Sequence, residues 1–416
     1  MNNSQTIHYE IRNTLALVLA GGRGSRLQNL TETRSKPAVP FGGKFRIVDF
    51  PLSNCINSGL RKIAVLTQYR AHSLIHHLQR GWSFLRPELG EFVEIWPAQQ
   101  QTKDVHWYQG TADAVHQNLE IITQHKPRFV LILAGDHIYK QDYSKMLAEH
   151  IESGADVSVA CMSVPRSEAS SFGVVNANAE GRIVEFVEKP VDPPAMVDDP
   201  ERSFVSMGIY IFNYHALMEV LEEDALDSSS SHDFGNDVIP KLVESSKVMA
   251  HNFSRSAVHD SDCYWKDVGT VDAYWEANID LTAVTPQLDL YDRGWPIWTH
   301  QSQYPSAKFI FNKGNRTGAA LDSLVSAGCV VSGGMVDSSL LFTDARINSY
   351  SIVYSSLILP HACVGRHCSI KRAIVDVGCQ LPERLVVGDD AELDAERFYR
   401  SEQGITLITQ EMVDRL

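Results

Sequence analysis

Residues 15–27 read LALVLAGGRGSRL, an apolar run that leads directly into a glycine-rich turn. The run has the length and composition of a buried β-strand. In the turn, Gly21, Gly22 and Gly24 allow backbone N–H groups to approach phosphate oxygens closely. A strand followed by such a turn predicts a phosphate-binding loop at the edge of a sheet. A purely structural turn between a strand and a helix is the alternative.

Two arginines within this turn support the phosphate interpretation. The guanidinium groups of Arg23 and Arg26 offer paired hydrogen-bond donors to a polyanion. Two familiar phosphate motifs are excluded, since the turn lacks a Gly-Lys-Ser/Thr ending and Leu27 occupies the third glycine position of the Rossmann fingerprint. The turn is therefore predicted to bind a nucleotide in some other way.

Short apolar runs alternate with helix-like segments on both sides of this turn. Three further runs, at residues 62–67, 129–134 and 157–162, have the composition of buried strands. Residues 112–123 and 143–153 carry apolar side chains at helical spacing. Alternation of this kind predicts an α/β, Rossmann-like domain with a mostly parallel sheet. Ligands of such sheets bind beyond the carboxyl ends of the strands.

The pattern changes after a stretch at residues 289–305 that is rich in Pro and Trp. Beyond it, branched aliphatic residues recur six apart with an occasional slip to five, for example Val330, Val336 and Phe342. This imperfect hexad is typical of a β-helix, in which each short strand forms one side of a coil. An ordinary β-sandwich is the alternative. The predicted domains are an α/β catalytic domain (1–288), a linker (289–305) and a β-helix domain (306–416).

Composition limits the possible functions. The chain has 416 residues, 44% of them hydrophobic, and a formal net charge of −14. An acidic surface does not attract a phosphate polymer, so we expect no nucleic-acid partner. Seven cysteines without a CxxC pair indicate free thiols in a reducing compartment. No signal peptide or apolar run of membrane-spanning length is visible, so we expect a cytoplasmic protein without a membrane partner.

Charged residues follow two of the predicted strands. Asp136 follows the run at 129–134 after one glycine. A carboxylate at this position is expected to be either a Mg²⁺ ligand or a helix N-cap. Its neighbour His137 is expected to be a packed residue, because Mg²⁺ prefers oxygen ligands. Lys189 follows the strand-like residues 183–187, and the proline after it is expected to hold Lys189 in extended geometry.

Several motifs together resemble one family. The fragment LAGGRGSRL…SKPAVPFGGKFRIVDFPLSN resembles the opening signature of sugar-nucleotide pyrophosphorylases, and residues 38–50 match the ADP-glucose pyrophosphorylase branch. The resemblance continues nearly to the C-terminus, through WYQGTADAV, AGDHIYKQDY, FVEKP, SMGIYIF, SSHDFGNDVIP and FYRSEQGI. It implies a left-handed parallel β-helix after the catalytic domain, and a reaction of ATP with glucose 1-phosphate that yields ADP-glucose for glycogen synthesis. A Mg²⁺ cofactor and assembly into homotetramers are also implied.

The resemblance implies the following site. Catalysis is expected to use Arg26, Lys36 and Asp136, with Asp136 and Asp267 as metal ligands. Glucose 1-phosphate is expected to contact Tyr108, Gly173, Glu188, Lys189 and Ser206. The nucleotide is expected to contact Gly21, Gly22, Arg23, Gly24, Gln100, Gly110 and Thr111.

Many relatives respond to a small-metabolite allosteric effector that binds between the two domains. The resemblance assigns Arg46, Gln68 and Trp107 to regulation, although a core-packing role for Trp107 is equally open. Two activator-site positions depart from the family, because Thr33 and Pro40 stand where bacterial members carry a lysine and a histidine. We therefore expect a weakened or altered activator response.

Three other interpretations compete with this one. The chain could make UDP- or dTDP-glucose, or it could be a catalytically silent regulatory subunit. The intact set of Arg26, Lys36, Asp136, Lys189 and Asp267 disfavours a silent copy. An acyltransferase site in the β-helix would depend on His361 or His367, the two candidate bases there, and is disfavoured.

Overall fold

The computed structural model describes residues 3–98, 107–196, 198–259 and 263–416. In the first domain the strands are β1 (Leu15–Leu19), β2 (Pro40–Phe41), β3 (Phe45–Arg46), β4 (Lys62–Thr67), β5 (Phe92–Pro97), β6 (Phe129–Ala134), β7 (His137–Tyr139), β8 (Val157–Pro165), β9 (Gly173–Ala177), β10 (Ile183–Glu188), β11 (Arg202–Asn213), β12 (Val248–Asn252) and β13 (Trp265–Asp267). The α-helices among the described residues are α1 (Asn3–Asn13), α2 (Asp49–Asn57), α3 (His72–Gly81), α4 (Thr111–His116), α5 (Leu119–His125), α6 (Tyr143–Ser153), α7 (Tyr214–Ala225), α8 (Ile239–Ser245), α9 (Val271–Asp280), α10 (Ala391–Arg397) and α11 (Gln410–Val413).

Nine strands form the central sheet, in the order β10-β9-β11-β6-β1-β4-β5, with β8 paired to β11 and β12. Strands β6, β1, β4 and β5 are parallel to one another. Strand β11 runs antiparallel to β6 and carries the sheet on to β8 and β9. The predicted parallel α/β sheet is thus confirmed where the glycine-rich turn lies, and an antiparallel extension adjoins it.

The sheet is covered on both faces, as continuous apolar strands require. Along β1, Ala16 and Val18 pack into one buried cluster while Leu15 and Leu17 pack into another. Because successive side chains point to opposite faces of a strand, one short run contributes to two cores. This arrangement holds β1 rigidly, so the loop after Leu19 begins from a fixed point.

Seventeen short strands form the second domain: β14 (Lys308–Ile310), β15 (Asn312–Lys313), β16 (Arg316–Thr317), β17 (Ala319–Leu321), β18 (Leu324–Val325), β19 (Val330–Ser332), β20 (Met335–Asp337), β21 (Leu340–Leu341), β22 (Arg346–Ile347), β23 (Ile352–Tyr354), β24 (Leu357–Ile358), β25 (Cys363–Val364), β26 (Ser369–Lys371), β27 (Ala373–Val375), β28 (Val386–Val387), β29 (Tyr399–Arg400) and β30 (Thr406–Ile408). Most belong to three sheets of parallel strands, one on each side of the coil.

Residues at equivalent positions of successive coils stack on one another. Val336, Val353, Ile370 and Val387 are paired in register, each 17 residues after the last, and all are fully buried. Each coil has three sides of five or six residues, which gives 17 residues per coil. The five-residue side explains why the six-residue spacing in the sequence is interrupted. The predicted β-helix is confirmed, and its parallel coils are consistent with the left-handed form. The β-sandwich alternative is wrong.

Helix α9 packs the two domains together. The Trp275 indole N–H donates to the Ser355 carbonyl at 3.0 Å, and the Arg372 guanidinium lies 4.9 Å from the Trp275 ring centroid. A second contact is the ion pair between Arg34 and Asp376, at 2.7 Å. None of the described helices is long and apolar enough to cross a bilayer.

Candidate active site

A cavity of about 500 Å³ opens where β1, β4 and β6 end. These strands are parallel neighbours, so the loops that follow them meet at one edge of the sheet. Twelve of the predicted substrate-site residues line this cavity: Gly21, Gly22, Arg26, Tyr108, Gly110, Thr111, Asp136, Gly173, Glu188, Lys189, Ser206 and Asp267. Motifs separated by more than 200 residues in sequence therefore converge at one place.

The glycine-rich turn forms one wall of this cavity. Gly24 has a φ of 66° and precedes a 3₁₀ helix at Ser25–Thr31. A Cβ atom on Gly24 would lie 2.8 Å from the Lys36 Cβ, so glycine lets the turn pack directly against Lys36. Arg23, in contrast, lies over the Tyr69 ring, 5.6 Å from its centroid, and is not among the residues lining the cavity.

Lys36 lies between the two predicted metal ligands. Its ammonium is 2.5 Å from Asp267 Oδ1 and 3.0 Å from Asp136 Oδ2, and its side chain is only 5% exposed. Arg26 approaches the same Asp267 carboxylate at 3.4 Å. Two cations and two carboxylates therefore form one cluster at the base of the cavity.

The charges within this cluster stabilise one another. Burial alone would lower the pKa of Lys36, but the Asp136 and Asp267 carboxylates raise it above its usual value. Burial alone would raise the pKa of Asp136, but the Lys36 ammonium lowers it. Lys36 is therefore a permanent cation, and Asp136 a permanent carboxylate, at neutral pH.

The same cluster has the composition of a magnesium site. Ligand atoms of Asp136, His137 and Asp267 lie within 4.8 Å of one another. Two carboxylates suit Mg²⁺, which takes oxygen ligands and retains several waters. The His137 side chain is 15% exposed and packs edge-on against Trp265, at 4.8 Å between ring centroids. Burial lowers the pKa of His137, so its ring adds no charge.

The side of the cavity that carries the predicted glucose 1-phosphate contacts Gly173, Glu188 and Lys189 is built on β9 and β10. A Cβ atom on Gly173 would lie 2.5 Å from the Phe186 ring and 2.8 Å from Glu188 Oε2, so only glycine fits there. Glu188 accepts a hydrogen bond from the Lys189 ammonium at 2.7 Å, and the Lys189 side chain is 64% exposed. The Lys189 charge thus stands at the solvent-facing mouth of the cavity.

The expected extended geometry of Lys189 is wrong. Its φ is +44°, in the left-handed region, which a residue before proline rarely adopts. Its backbone N–H donates to the Phe172 carbonyl at 3.0 Å, which helps to hold this conformation. Strained backbone of this kind is concentrated at functional sites.

The strip Gly110–Thr111 is fixed by a loop that the sequence analysis did not include in the site. A Cβ atom on Gly110 would lie 2.1 Å from the His232 carbonyl oxygen. The Thr111 hydroxyl donates to Asp233 Oδ2 at 2.9 Å and accepts from the Phe234 N–H at 3.0 Å. The hydroxyl proton of Thr111 is therefore already used within the protein.

Further cavity residues were also missed by sequence reasoning. Asp233, Phe234, Tyr210 and Trp265 also line the cavity. Burial raises the pKa of Tyr210 well above its usual range, so its hydroxyl stays neutral. The available signal was the pair of quoted motifs SSHDFGNDVIP and SMGIYIF, which contain Asp233 and Tyr210. These motifs marked the two positions but did not reveal their contacts.

The regulatory candidates occupy different places. Gln68 lines the cavity and binds the main chain of Tyr108, whose N–H donates to Gln68 Oε1 at 3.0 Å. Trp107 is 62% exposed, so its core-packing interpretation is wrong. Gln100, the predicted adenine contact, lies outside the described residues.

Arg46 lines a second cleft, between the catalytic domain and the β-helix. Burial lowers the pKa of its guanidinium, and its Nη1 donates to the Ser73 carbonyl at 2.9 Å. Thr33 and Pro40 line this cleft too. Thr33 and Pro40, which depart from the family pattern, thus lie in the same cleft as Arg46, which matches it.

Comparison with known proteins follows the same division of the chain. The sequence model for nucleotidyl transferase matches residues 15–284, and that for the GlmU-like C-terminal hexapeptide matches residues 305–408. The glucose-1-phosphate adenylyltransferase of Rhodospirillum rubrum is 62% identical over 406 residues, 97% of this chain and 96% of the relative. Those of Paramagnetospirillum magneticum and Methylobacillus flagellatus are 56% and 55% identical, over 99% of this chain and 96% and 97% of the relatives.

Proposed function

The chain belongs to the glucose-1-phosphate adenylyltransferase family of nucleotidyl transferases, and from this premise we propose that its cavity transfers AMP from ATP to glucose 1-phosphate, with release of pyrophosphate. One observation carries the assignment of the site. Arg26, Asp136, Lys189 and Asp267 come from distant parts of the chain and line the same cavity. A triphosphate and a sugar phosphate both need such cations, and a metal needs such carboxylates.

The reaction requires little proton chemistry. A phosphate oxygen of glucose 1-phosphate attacks the α-phosphorus of ATP, and the bond to the pyrophosphate oxygen breaks. The attacking oxygen is already anionic, so no general base is required, and catalysis depends on positioning and charge stabilisation. Lys36 and Arg26 supply fixed positive charge beside the glycine-rich turn, where charge develops on the departing pyrophosphate.

Asp136 and Asp267 would hold a Mg²⁺ ion, which when bound neutralises charge on the phosphates. Lys36 is bonded to both carboxylates. We infer that this ion pair keeps the two acids close together and ionised. The carboxylates therefore need neither deprotonation nor a large movement to act as ligands.

On the sugar side, Lys189 would bind the phosphate of glucose 1-phosphate and Glu188 the sugar hydroxyls. Tyr108, Ser206 and the backbone at Gly173 would complete this pocket. Lys189 now bonds to Glu188, and a phosphate can compete for the same ammonium because that ammonium is largely exposed. The two residues are thus held in place before substrate arrives.

The nucleotide would lie along Gly21, Gly22 and Gly24 and the strip Gly110–Thr111. Because the Thr111 hydroxyl is bonded to Asp233, this strip would present backbone groups to the nucleotide. Arg23 and Gln100 would also contact the nucleotide. Arg23 would have to leave the Tyr69 ring to reach the triphosphate.

The experiment that tests the proposal is pyrophosphate release with glucose 1-phosphate and each of ATP, UTP and dTTP. We expect ATP to be preferred at least about tenfold in kcat/KM. A preference for UTP or dTTP would support the UDP- or dTDP-glucose alternative. Asp136→Asn should lower kcat by about 100-fold or more, since it removes charge from the centre of the cluster. Absence of release with all three nucleotides would favour the silent-subunit alternative.

We propose that the cleft at Arg46 binds a small-metabolite effector and that Gln68 and Trp107 connect it to the active site. Thr33 and Pro40 supply no positive charge there, so the response to a bisphosphate should be weak. Titration of fructose 1,6-bisphosphate against the initial rate tests this expectation, with Thr33→Lys as the variant that should strengthen the response. Strong activation of the unmodified enzyme at micromolar effector would contradict it.

We further propose that the enzyme is a cytoplasmic homotetramer that supplies ADP-glucose for glycogen synthesis. The outer face of one β-helix sheet supports assembly. Ile352, Val386 and Leu321 on this face are 50%, 43% and 55% exposed. Met335, Ile352 and Val386 belong to one row across the sheet, in which Ser369 lies between Ile352 and Val386. Exposed apolar side chains on this face favour a protein partner rather than water.

A further inference from the structure

The predicted linker is bound tightly to the catalytic domain over part of its length. Residues 289–299, here called the strap, cross the polar side of helix α2. Four side chains of α2 bond to the strap. Asp49 accepts from the Thr299 hydroxyl at 2.7 Å, and Ser53 accepts from the Trp298 N–H at 2.8 Å. Asn54 accepts from the Trp295 indole at 2.9 Å, while Asn57 accepts from the Trp298 indole at 3.0 Å and donates to the Pro296 carbonyl at 2.9 Å. The strap is therefore a built contact and not a free connection.

Asn54 joins the strap to the strand that follows Asp136. Its Oδ1 accepts from the Trp295 indole N–H, and its Nδ2 donates to the Tyr139 carbonyl at 3.1 Å. The residue is fully buried. A buried amide that loses either partner leaves an unsatisfied polar group, so the two bonds support each other.

The Tyr139 carbonyl belongs to β7, the strand that follows Asp136. On one side β7 pairs with β13, and this pairing places Asp267 opposite His137. On its other side β7 is bonded to Asn54. The strand that follows Asp136 and the strand that carries Asp267 are therefore joined to α2 through the Asn54 amide.

Lys140 gives the strap a second hold on the same segment. Its ammonium donates to the Asp289 carbonyl at 2.6 Å and to Asp292 Oδ2 at 3.2 Å, and its side chain is 5% exposed. Consecutive residues, Tyr139 and Lys140, are thus linked to the strap, one through Asn54 and one directly.

We propose that Asn54 is a positioning residue for the reaction: it couples the strap, through Trp295, to the spacing of Asp136 and Asp267. This inference rests on the proposed metal role of those two carboxylates. The strap leads into the β-helix, so the buried Asn54 amide is one of the links that join the second domain to the metal site. Ligand carboxylates must be held within a fraction of an ångström, so a small shift of β7 weakens metal binding.

Two tryptophans of the strap provide a matched test. Trp295→Phe removes only the indole N–H that reaches Asn54 and retains an aromatic ring. Trp298→Phe removes an equivalent indole bond from the same strap to the same helix, but to Asn57, which is not bonded to β7. Both variants are measured at temperatures well below their unfolding midpoints, so that a loss of stability is separated from a loss of metal affinity.

The readouts are the affinity of the enzyme for Mn²⁺ alone, by electron paramagnetic resonance of free Mn²⁺, and the steady-state constants with Mg²⁺. We expect Trp295→Phe to weaken Mn²⁺ binding and to lower kcat, each by about tenfold. The KM for glucose 1-phosphate should stay within about twofold, because β9 and β10 are not bonded to the strap. Trp298→Phe should leave Mn²⁺ affinity and kcat within about twofold of the unmodified enzyme.

Equal Mn²⁺ affinities for the two variants, or losses that merely follow their unfolding midpoints, would overturn the inference. Asp136→Asn separates this failure from failure of the proposed function. If Asp136→Asn still binds Mn²⁺ and retains its kcat, the metal assignment itself is wrong. If Asp136→Asn loses both and Trp295→Phe loses neither, only the coupling through Asn54 is wrong.

Discussion

At the scale of single residues, Lys189 should determine the affinity for glucose 1-phosphate and little else. Its side chain is 64% exposed and bonds only to Glu188 among the described residues. Lys189→Gln removes a charged bond to the substrate phosphate, so we expect KM for glucose 1-phosphate to rise about 10- to 100-fold. The KM for ATP and the unfolding midpoint should hardly change. Steady-state kinetics with each substrate varied in turn measure this, and an equal rise in both KM values would contradict the assignment.

The residue scale also shows what the sequence could predict about the site. Asp136 was identified because a carboxylate directly after a buried strand reaches the carboxyl edge of a parallel sheet. The contact of Lys36 with both Asp136 and Asp267 could not be predicted, because it depends on the pairing of β7 with β13. The stacking of Arg23 on Tyr69 and the bond from Thr111 to Asp233 also escaped prediction, because each joins segments that are distant in sequence.

At the scale of elements, helix α6 contains a histidine that should make stability depend on pH. His150 is 1% exposed, and its ring contacts Ser158 Oγ at 2.8 Å and Asn213 Oδ1 at 3.3 Å. Burial lowers the pKa of His150 to about 4, whereas an unfolded histidine titrates near about 6.5. As pH falls below about 6.5 the unfolded chain takes up this proton first. Stability is therefore lost progressively towards pH 4, by about 2 kcal/mol between pH 7 and pH 5.

Urea unfolding at pH 7 and pH 5 checks this expectation. His150→Gln should reduce the difference in free energy of unfolding between the two pH values by about 2 kcal/mol. His8→Gln, at an exposed position in α1, should retain the full difference. The same pH difference in all three proteins would show that His150 does not control it.

Element boundaries were predicted well for strands and less well for helices. Strands at Lys62–Thr67 and Phe129–Ala134 and the helix at Tyr143–Ser153 have the predicted limits. The single helix expected at residues 112–123 is instead two helices, α4 and α5. Asn118 lies at the break, where its amide donates to the Ala114 carbonyl and to the Tyr108 hydroxyl. An asparagine that bonds to the backbone in this way competes with the helix, and apolar periodicity alone does not reveal it.

At the scale of the whole molecule, the change in apolar spacing predicts two kinds of architecture along the chain, but the contact between them could not be derived from it. The repeat predicts coils because each aliphatic position is buried by the coil next to it. The contact of Trp275 with Ser355 and Arg372 depends instead on how α9 meets one sheet of the β-helix. The strap likewise resembles an ordinary linker in sequence, because its polar partners lie on α2.

The proposed tetramer depends on a row of outward side chains on the sheet of β17, β20, β23, β26 and β28. Ile352 lies at the centre of this row, between Met335 and Ser369 on the adjacent strands. Ile352→Glu places a charge where a second copy would bury the row, so we expect the molecular mass measured by light scattering to fall to that of a dimer or a monomer. Val184→Glu, at a 53% exposed position on β10 of the catalytic domain, should leave the assembly intact. If Ile352→Glu kept a tetrameric mass, this face of the β-helix would not be the assembly surface.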